Sequence, residues 1–177
     1  MNWVAFFSQT GSEIAYVSEH IGRWPNLIVT NRQDGFEKIN QKLFSGKSRI
    51  LFTEKKPDIQ RYKEAIRSNS IVTLHGWLRI VPEEICGKYE IYNGHPGLIT
   101  KYPELKGKDP QERAYNDKYK TAGSVIHRVV PEVDAGEILA EKEIDIKDKS
   151  LNEVYESLHE VSSDLWVEFL KGKFKDE

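Results

Sequence analysis

The chain has 177 residues, with 26 lysines and arginines against 28 aspartates and glutamates. A chain of this length can bury a real hydrophobic core, so we predict that residues 1–177 form one domain. The near balance of charge argues against a broad basic face for nucleic acid and leaves only local basic patches open. The only cysteine is Cys86, which excludes an intrachain disulfide and fits a reducing compartment.

The start of the chain offers no targeting signal. Met1 to Trp3 lead straight into an apolar run, without a basic leader or a small-residue cleavage site. No apolar run in the sequence approaches the length of a membrane span. We therefore expect a soluble, cytoplasmic protein without a membrane partner.

The first half of the chain alternates short apolar runs with amphipathic segments. Buried strands are predicted at residues 3–7, 27–30, 50–53, 71–74 and 89–91. Helices are predicted from residue 12 onward and at residues 36–44 and 58–67. This alternation predicts an α/β fold with a doubly wound, mostly parallel sheet, whose ligands bind beyond the carboxyl ends of the strands.

The second half departs from that rhythm. A polar connection at 98–109 is too long for a plain link, which favours a substrate-facing loop. It is followed by a predicted helix turn at 110–115, by strands at 124–130 and 138–146, and by a closing helix at 150–169. Ser150 and Glu153 have the spacing of a capping box at the start of that helix. The charged end of the chain, 171–177, is expected to be frayed.

The loop after the first strand contains Gly11, Ser12 and Glu13. A strand, a small polar loop and a helix start together form a place where backbone N–H groups can hold an anion. Simple N-capping of the helix by Ser12 explains the same residues equally well. The sequence leaves both interpretations open.

A second polar loop is predicted where the strand at 89–91 ends. Asn93 and His95 stand two residues apart in what we interpret as a turn, and both side chains can exchange hydrogen bonds or protons near neutral pH. Asp134 lies in a tight connection at 133–136 that could aim one carboxylate at a cleft. Ordinary turn formation is the alternative explanation for all three residues.

These motifs together carry a resemblance to a known family. Asn93-x-His95-Pro96 with Asp134 downstream resembles the Asn-His-Asp set of the folate-dependent formyltransferases. The segment 76–81, Gly-Trp-Leu-Arg-Ile-Val, is similar to the folate-pocket segment of that family, and residues 123–136 are similar to the strand and loop that deliver its aspartate. The likeness extends over nearly the whole chain.

The resemblance implies a Rossmann-like catalytic domain that uses 10-formyltetrahydrofolate as co-substrate and a primary amine as acceptor. It implies that Asn93 and His95 stabilise an oxyanion and that Asp134 accepts a proton and fixes His95. His127 is interpreted as a strand residue that supports the site. The implied folate contacts are Leu78, Arg79, Ile80, Val81, Val130, Pro131 and Glu132. A surface role for Arg79 is the alternative, and no histidine–carboxylate spacing indicates a metal.

The acceptor is less well defined by the likeness. The family members that act on glycinamide ribonucleotide, in purine biosynthesis, are the leading match, and there Gly11, Ser12 and Glu13 would face the acceptor phosphate. Glu13 is unfavourable beside a phosphate unless its side chain turns away. The alternatives are an amino sugar linked to a nucleotide, hydrolysis of the formyl donor, or a folate-binding module without turnover. The sequence also leaves a homodimer open.

Overall fold

The computed structural model describes residues 1–175 and has an α/β architecture. In that range seven strands are present: β1 (Asn2–Phe7), β2 (Leu27–Thr30), β3 (Arg49–Phe52), β4 (Ser70–Leu74), β5 (Glu90–His95), β6 (Thr121–Arg128) and β7 (Ile138–Asp145). The same range contains the helices α1 (Ser12–Ile21), α2 (Ile59–Ala65), α3 (Glu83–Lys88), α4 (Pro110–Asn116) and α5 (Leu151–Lys173). Short 3₁₀ turns lie at Phe36–Lys38, Gln41–Phe44 and Pro103–Leu105.

The strands form a sheet in the order β3-β2-β1-β4-β5-β6-β7. Strands β1 to β4 pair in parallel with their neighbours, as does β4 with β5, and only the β6–β7 pair is described as antiparallel. The predicted α/β fold with a mostly parallel sheet is confirmed. The chain divides into two compact units, one made of Met1–Asn93 and one that begins at Gly94, so β5 contributes residues to both.

In the first unit the order of strands reverses between β1 and β4, and this is where ligands usually bind in open α/β sheets. The loops that leave these two strands are joined by two hydrogen bonds, one of them to a side chain. Ser8 N–H donates to the Gly76 carbonyl at 3.2 Å, and Leu78 N–H donates to Ser8 Oγ at 3.0 Å. Below them Phe6 stacks on Tyr62 with ring centroids 5.8 Å apart. The two loops therefore stand on a packed aromatic base.

The second unit is built on the β6–β7 hairpin and the long helix α5. An apolar cluster fills its interior, with Ile99, Leu105, Ala114, Ala122, Val125, Ile146, Val154 and Leu158. Gly123 is required where β6 pairs with β7, because a Cβ atom there would stand 2.0 Å from the Lys142 carbonyl oxygen. The pairing is irregular between Ile126 and His127, and such a bulge re-aims nearby side chains.

Several predicted elements need correction. The helix expected at 36–44 is replaced by two 3₁₀ turns, because Ile39 between them has extended backbone angles. Strand β5 does not end before Asn93 but continues to His95. Helix α1 is capped by Gly11 in the left-handed conformation and begins at Ser12, so N-capping by Ser12 is wrong. Of the tail expected to fray, 171–173 belong to α5, and residues 176 and 177 lie outside the described residues.

The other predicted strands and helices agree with the structure to within a few residues, and the capping box of α5 is confirmed. Helix α3 was not predicted. Within residues 1–175 no helix is both long enough and apolar enough to cross a membrane.

The capping box predicts a measurable stability effect at Ser150. Its side chain accepts from Glu153 N–H at 3.2 Å, and Ser150→Ala leaves that donor without its acceptor. We expect the free energy of unfolding to fall by about 0.5–2 kcal/mol in urea denaturation. Ser150→Asp, which keeps an acceptor at the cap, should retain most of the stability. Equal stability of the alanine variant and the wild type would contradict this account of the helix start.

Candidate active site

Strand β5 presents the predicted amide and imidazole at its carboxyl end. Asn93 lies opposite Leu74 in the parallel register with β4, and it is half-buried. His95 is two residues further along the strand and is 5% exposed. Because alternate residues of a strand point to the same side, Asn93 and His95 leave the same face of β5.

Asp134 lies in the connection between β6 and β7 with φ at 54°, a conformation that aspartate tolerates better than most residues. The connection is tight: a Cβ atom at Gly136 would stand 1.6 Å from the Arg128 carbonyl oxygen, so glycine is required there. This turn directs the Asp134 side chain inward, and the residue is 9% exposed.

Three groups of the second unit surround the Asp134 carboxylate. Gly107 N–H donates to Oδ2 at 2.8 Å, and His127 Nε2 lies 3.2 Å from Oδ1. His95 Nδ1 lies 3.5 Å from Oδ2, which is at the long limit for a hydrogen bond. The structure thus brings His95 and Asp134 together as a buried pair.

The other ring nitrogen of His95 determines which atom carries the proton. Nε2 lies 2.8 Å from the Leu105 carbonyl oxygen, which can only accept a hydrogen bond. Nε2 therefore carries the hydrogen, and in a neutral ring Nδ1 presents a lone pair towards Asp134. Two acceptors thus face each other across 3.5 Å, and either of them can take up a proton.

The surroundings of the pair favour a neutral His95 ring and an ionised Asp134. Removal from water lowers the pKa of His95 below its ordinary value of 6.5, and the Asp134 carboxylate and the Leu105 carbonyl oppose that effect only in part. Burial by itself would raise the pKa of Asp134. The hydrogen bond from His127, the positive charge that His95 carries only at the low pH where Asp134 titrates, and the N–H of Gly107 together outweigh it, so the pKa of Asp134 lies below 3.8. Near neutral pH the pair therefore consists of a neutral imidazole and a carboxylate.

His127 supports Asp134 from the other side, in agreement with its interpretation as a supporting strand residue. Its Nδ1 lies 3.1 Å from the Arg128 carbonyl oxygen while Nε2 faces Asp134. A hydrogen bond from Nε2 to Oδ1 replaces part of the hydration that the Asp134 carboxylate loses on burial.

The segments predicted to bind folate differ in exposure. In the first unit Leu78 and Ile80 are 65% and 73% exposed, whereas Val81 is buried and Arg79 is intermediate. In the second unit Val130 is half-buried, and Pro131 and Glu132 are exposed. Two large apolar side chains in water at the end of β4 are typical of a surface that a ligand covers.

The three residues predicted to face the acceptor lie at the N-terminus of α1, but Glu13 does not point into solvent. Its Oε1 lies 2.7 Å from His75 Nδ1, and its side chain is only 15% exposed. His75 Nε2 lies 2.8 Å from Thr73 Oγ1, which also accepts from Trp3 Nε1. A buried polar chain of the first unit thus ends in a carboxylate at the helix start.

Gly11 and Ser12 have structural roles of their own. A Cβ atom at Gly11, where φ is 70°, would stand 2.5 Å from a Leu43 side-chain carbon, so the position requires glycine. Ser12 Oγ lies 3.1 Å from Thr10 Oγ1 and 3.5 Å from Asn40 Nδ2. These polar groups surround the helix start, but its positive end already has an anion nearby in Glu13.

Two backbone groups of the site could not be found from residue types. The Gly107 amide and the Leu105 carbonyl contact the buried pair, and both lie in the long connection interpreted as substrate-facing. In the sequence, the length of that connection was the signal that it has a role in the site.

In residues 1–175 no group of three or more His, Cys, Asp or Glu side chains is arranged to hold a metal ion.

A comparison against known families matches most of the chain. Residues 8–170 match the model of the family described as formyl transferase. The match covers most of the chain, and the chain therefore belongs to the formyl transferase family.

The names of individual relatives specify different formyl acceptors. The chain is 35% identical over 116 residues to a phosphoribosylglycinamide formyltransferase of Dictyostelium discoideum, a match that covers 59% of this chain and 55% of that one. It is 34% identical over 104 residues to a methionyl-tRNA formyltransferase of Thermotoga neapolitana, which covers 57% of this chain and 32% of that one. The matches therefore span about half of the first relative and a third of the second.

Solved structures share the fold at low identity. The phosphoribosylglycinamide formyltransferase of Bacillus halodurans superposes with a TM-score of 0.82 at 24% identity and covers 99% of this chain and 97% of that one. The phosphoribosylglycinamide formyltransferase of Anaplasma phagocytophilum superposes with a TM-score of 0.84 at 22% identity and covers 97% of this chain and 85% of that one. A formyltetrahydrofolate deformylase of Pseudomonas syringae superposes with a TM-score of 0.76 at 18% identity and covers 99% of this chain and 62% of that one.

The Glu13–His75 contact predicts a stability effect. Glu13→Ala removes the acceptor 2.7 Å from a buried imidazole nitrogen, and we expect the free energy of unfolding to fall by about 1–3 kcal/mol. Glu13→Gln keeps an amide oxygen as acceptor and should lose less. Glu19→Ala on the same helix removes only an exposed ion pair with Lys42 and serves as the control. If Glu13→Ala costs no more than Glu19→Ala in urea denaturation, the contact is not structural.

The buried His95 predicts a pH dependence of stability. The folded-state pKa of His95 lies below 6.5. Between the folded-state and unfolded-state pKa values, the unfolded chain therefore binds a proton at this position and the folded chain does not. The stability contributed by the neutral ring is thus present above the unfolded-state pKa and is lost as the pH falls through the folded-state pKa.

His95→Gln should therefore lose less stability than the wild type when urea denaturation is repeated from about pH 7.5 to about pH 5. His159→Gln, an exposed histidine of α5, should follow the wild type. Identical slopes for His95→Gln and the wild type would show that burial does not suppress the protonation of His95.

Proposed function

We propose that this chain transfers the formyl group of 10-formyltetrahydrofolate to a primary amine, with residues 1–177 acting as one catalytic domain. The observation that carries the proposal is the buried His95–Asp134 pair. Nδ1 and Oδ2 lie 3.5 Å apart, and neither of these two atoms carries a hydrogen. Membership in the formyl transferase family supports the reaction class.

The reaction needs a donor for a developing negative charge. When the amine attacks the formyl carbon, a C–N bond forms and the π electrons of the carbonyl move to its oxygen. Asn93, on the same face of β5 as His95, offers an amide N–H₂ group for that oxyanion. Preplaced donors of this kind are usually the largest contribution to catalysis of acyl transfer.

The reaction also needs a base. The proton that the attacking amine loses passes to the His95–Asp134 pair. With that proton on Nδ1, His95 is a cation whose positive charge helps to stabilise the oxyanion held by Asn93. Collapse of the intermediate restores the carbonyl and breaks its bond to the folate nitrogen, which takes up the proton. The products are the formamide and tetrahydrofolate.

The formyl donor is proposed to contact Leu78, Arg79, Ile80 and Val81 and the backbone of Val130, Pro131 and Glu132. The exposed apolar side chains of Leu78 and Ile80 fit the apolar part of such a ligand. The polar ring edge needs paired donors and acceptors, which an extended backbone supplies. No metal is proposed for this reaction.

The acceptor proposed first is glycinamide ribonucleotide, the substrate named for the Dictyostelium discoideum relative, which would place the reaction in purine biosynthesis. One observation favours a second candidate, an amino sugar linked to a nucleotide. Glu13 is held at the start of α1 by His75, where its charge would oppose an acceptor phosphate. A sugar hydroxyl or an amine is a better match for a carboxylate at that place.

The catalytic trio predicts the outcome of three substitutions. Asn93→Ala, His95→Ala and Asp134→Asn should each lower turnover about a hundredfold to a thousandfold, measured as release of tetrahydrofolate with a saturating amine. His159→Ala, which changes an exposed histidine, is the matched control and should keep wild-type turnover. Wild-type turnover in His95→Ala would refute the assignment of the pair.

The acceptor is tested by mixing the wild-type protein and 10-formyltetrahydrofolate with each candidate amine and recording the mass gain of one formyl group. Formylation of glycinamide ribonucleotide is the expected result. Formylation of the amino-sugar nucleotide alone would move the acceptor to the second candidate while keeping formyl transfer. Formate release without an amine would indicate a hydrolase, and binding without turnover would indicate a folate-binding module.

A further inference from the structure

A single cation organises the backbone of residues 104–108, which we name the carbonyl loop. The Arg113 guanidinium, on helix α4, donates from all three of its nitrogens to main-chain oxygens of that loop. The acceptors are the carbonyls of Glu104 (from Nη1), Leu105 and Lys106 (from Nη2, at 3.1 and 2.9 Å) and Lys108 (from Nε, at 2.9 Å).

The same loop supplies the two backbone groups that contact the His95–Asp134 pair. The Leu105 carbonyl accepts from His95 Nε2 at 2.8 Å, and the Gly107 N–H donates to Asp134 Oδ2 at 2.8 Å. The first contact determines which ring nitrogen of His95 carries the hydrogen, and the second orients the carboxylate. Both therefore depend on the path of the carbonyl loop.

We propose that Arg113 is a positioning residue that holds the carbonyl loop so that Leu105 sets the tautomer of His95 and Gly107 orients Asp134. Arg113 contacts neither side chain of the pair directly through a hydrogen bond; it acts through the loop. For its effect on catalysis the inference rests on the proposed formyl transfer, whereas its effect on the loop does not.

The chemistry of the side chain explains why arginine is needed. A guanidinium presents five N–H donors in a rigid plane, so it can reach carbonyls that point from different directions. Lysine keeps the positive charge but concentrates three donors on one atom at the end of a flexible chain. Arg113→Lys therefore separates the geometric role from the electrostatic one.

Other contacts anchor the loop without orienting its carbonyls. The Leu105 side chain is 1% exposed within the apolar cluster of the second unit, and the Glu104 carboxylate accepts a hydrogen bond from Tyr119. Gly107 has φ at 92°, a conformation that favours glycine. Loss of Arg113 should therefore leave the loop attached to the core while its peptide groups reorient.

The test is amide hydrogen exchange of the intact protein at single-residue resolution. In Arg113→Met and in Arg113→Lys the Gly107 N–H should exchange at least roughly tenfold faster than in the wild type. The reason is that Asp134 Oδ2, its acceptor, is then no longer in line with the N–H bond. The amide of Val125, in the core strand β6, should keep its protection. Tyr119→Phe removes the hydrogen bond from Tyr119 to the Glu104 carboxylate of the same loop and should leave Gly107 unchanged.

Each outcome decides the proposal. Wild-type exchange of Gly107 in Arg113→Lys would overturn it, and so would equal acceleration in Tyr119→Phe. If Arg113→Met unfolds, exchange rises at Val125 as well, and Arg113→Lys then decides alone.

Turnover provides the second readout. With an accepted amine, Arg113→Lys should lose about tenfold to a hundredfold in kcat with little change in KM, because the pair is misplaced while the substrate contacts remain. A rise in KM alone would overturn the positioning role. If the wild type transfers no formyl group to any amine, the proposed function fails, and the Gly107 exchange still tests whether Arg113 holds the loop.

Discussion

The candidate site depends on how the protein compensates one buried negative charge. A carboxylate removed from water is stable only if other groups replace its hydration. Asp134 accepts hydrogen bonds from the Gly107 amide and the His127 ring, which come from separate parts of the second unit, and the His95 ring lies 3.5 Å away. The left-handed turn at Asp134, the bulge beside His127 and the path of residues 104–108 all serve this requirement.

A second, half-buried carboxylate lies at the start of α1 in the first unit. Glu13 contacts His75, which continues through Thr73 to Trp3 in the core. A polar group in such a chain is costly to move, so the anion at the start of α1 is a fixed feature of that surface. Two relatives with different acceptors match this chain almost equally well, and this fixed anion supplies a physical criterion for choosing between acceptors.

The sequence predicts the sheet well because each buried strand is an apolar run with clear limits, as in residues 3–7. It predicts His95 and Asp134 as site residues through the family resemblance of their motifs, since the two side chains alone are equally explained by ordinary turns. It misplaces Asn93 in a turn, since Asn-Gly is a common turn dipeptide, whereas pairing with β4 extends the strand. The Leu105 carbonyl and the Gly107 amide carry no signal in residue type, and only tertiary structure shows that they meet the pair.

The central claim is that His95 is a neutral imidazole with its hydrogen on Nε2, facing an ionised Asp134. Long-range ¹H–¹⁵N correlation spectra of the wild-type protein near pH 7, assigned with the His95→Gln variant, measure this directly. The account predicts a protonated-type shift for Nε2 and an unprotonated-type shift for Nδ1. A hydrogen on Nδ1 alone, or a fully protonated ring at that pH, would contradict it.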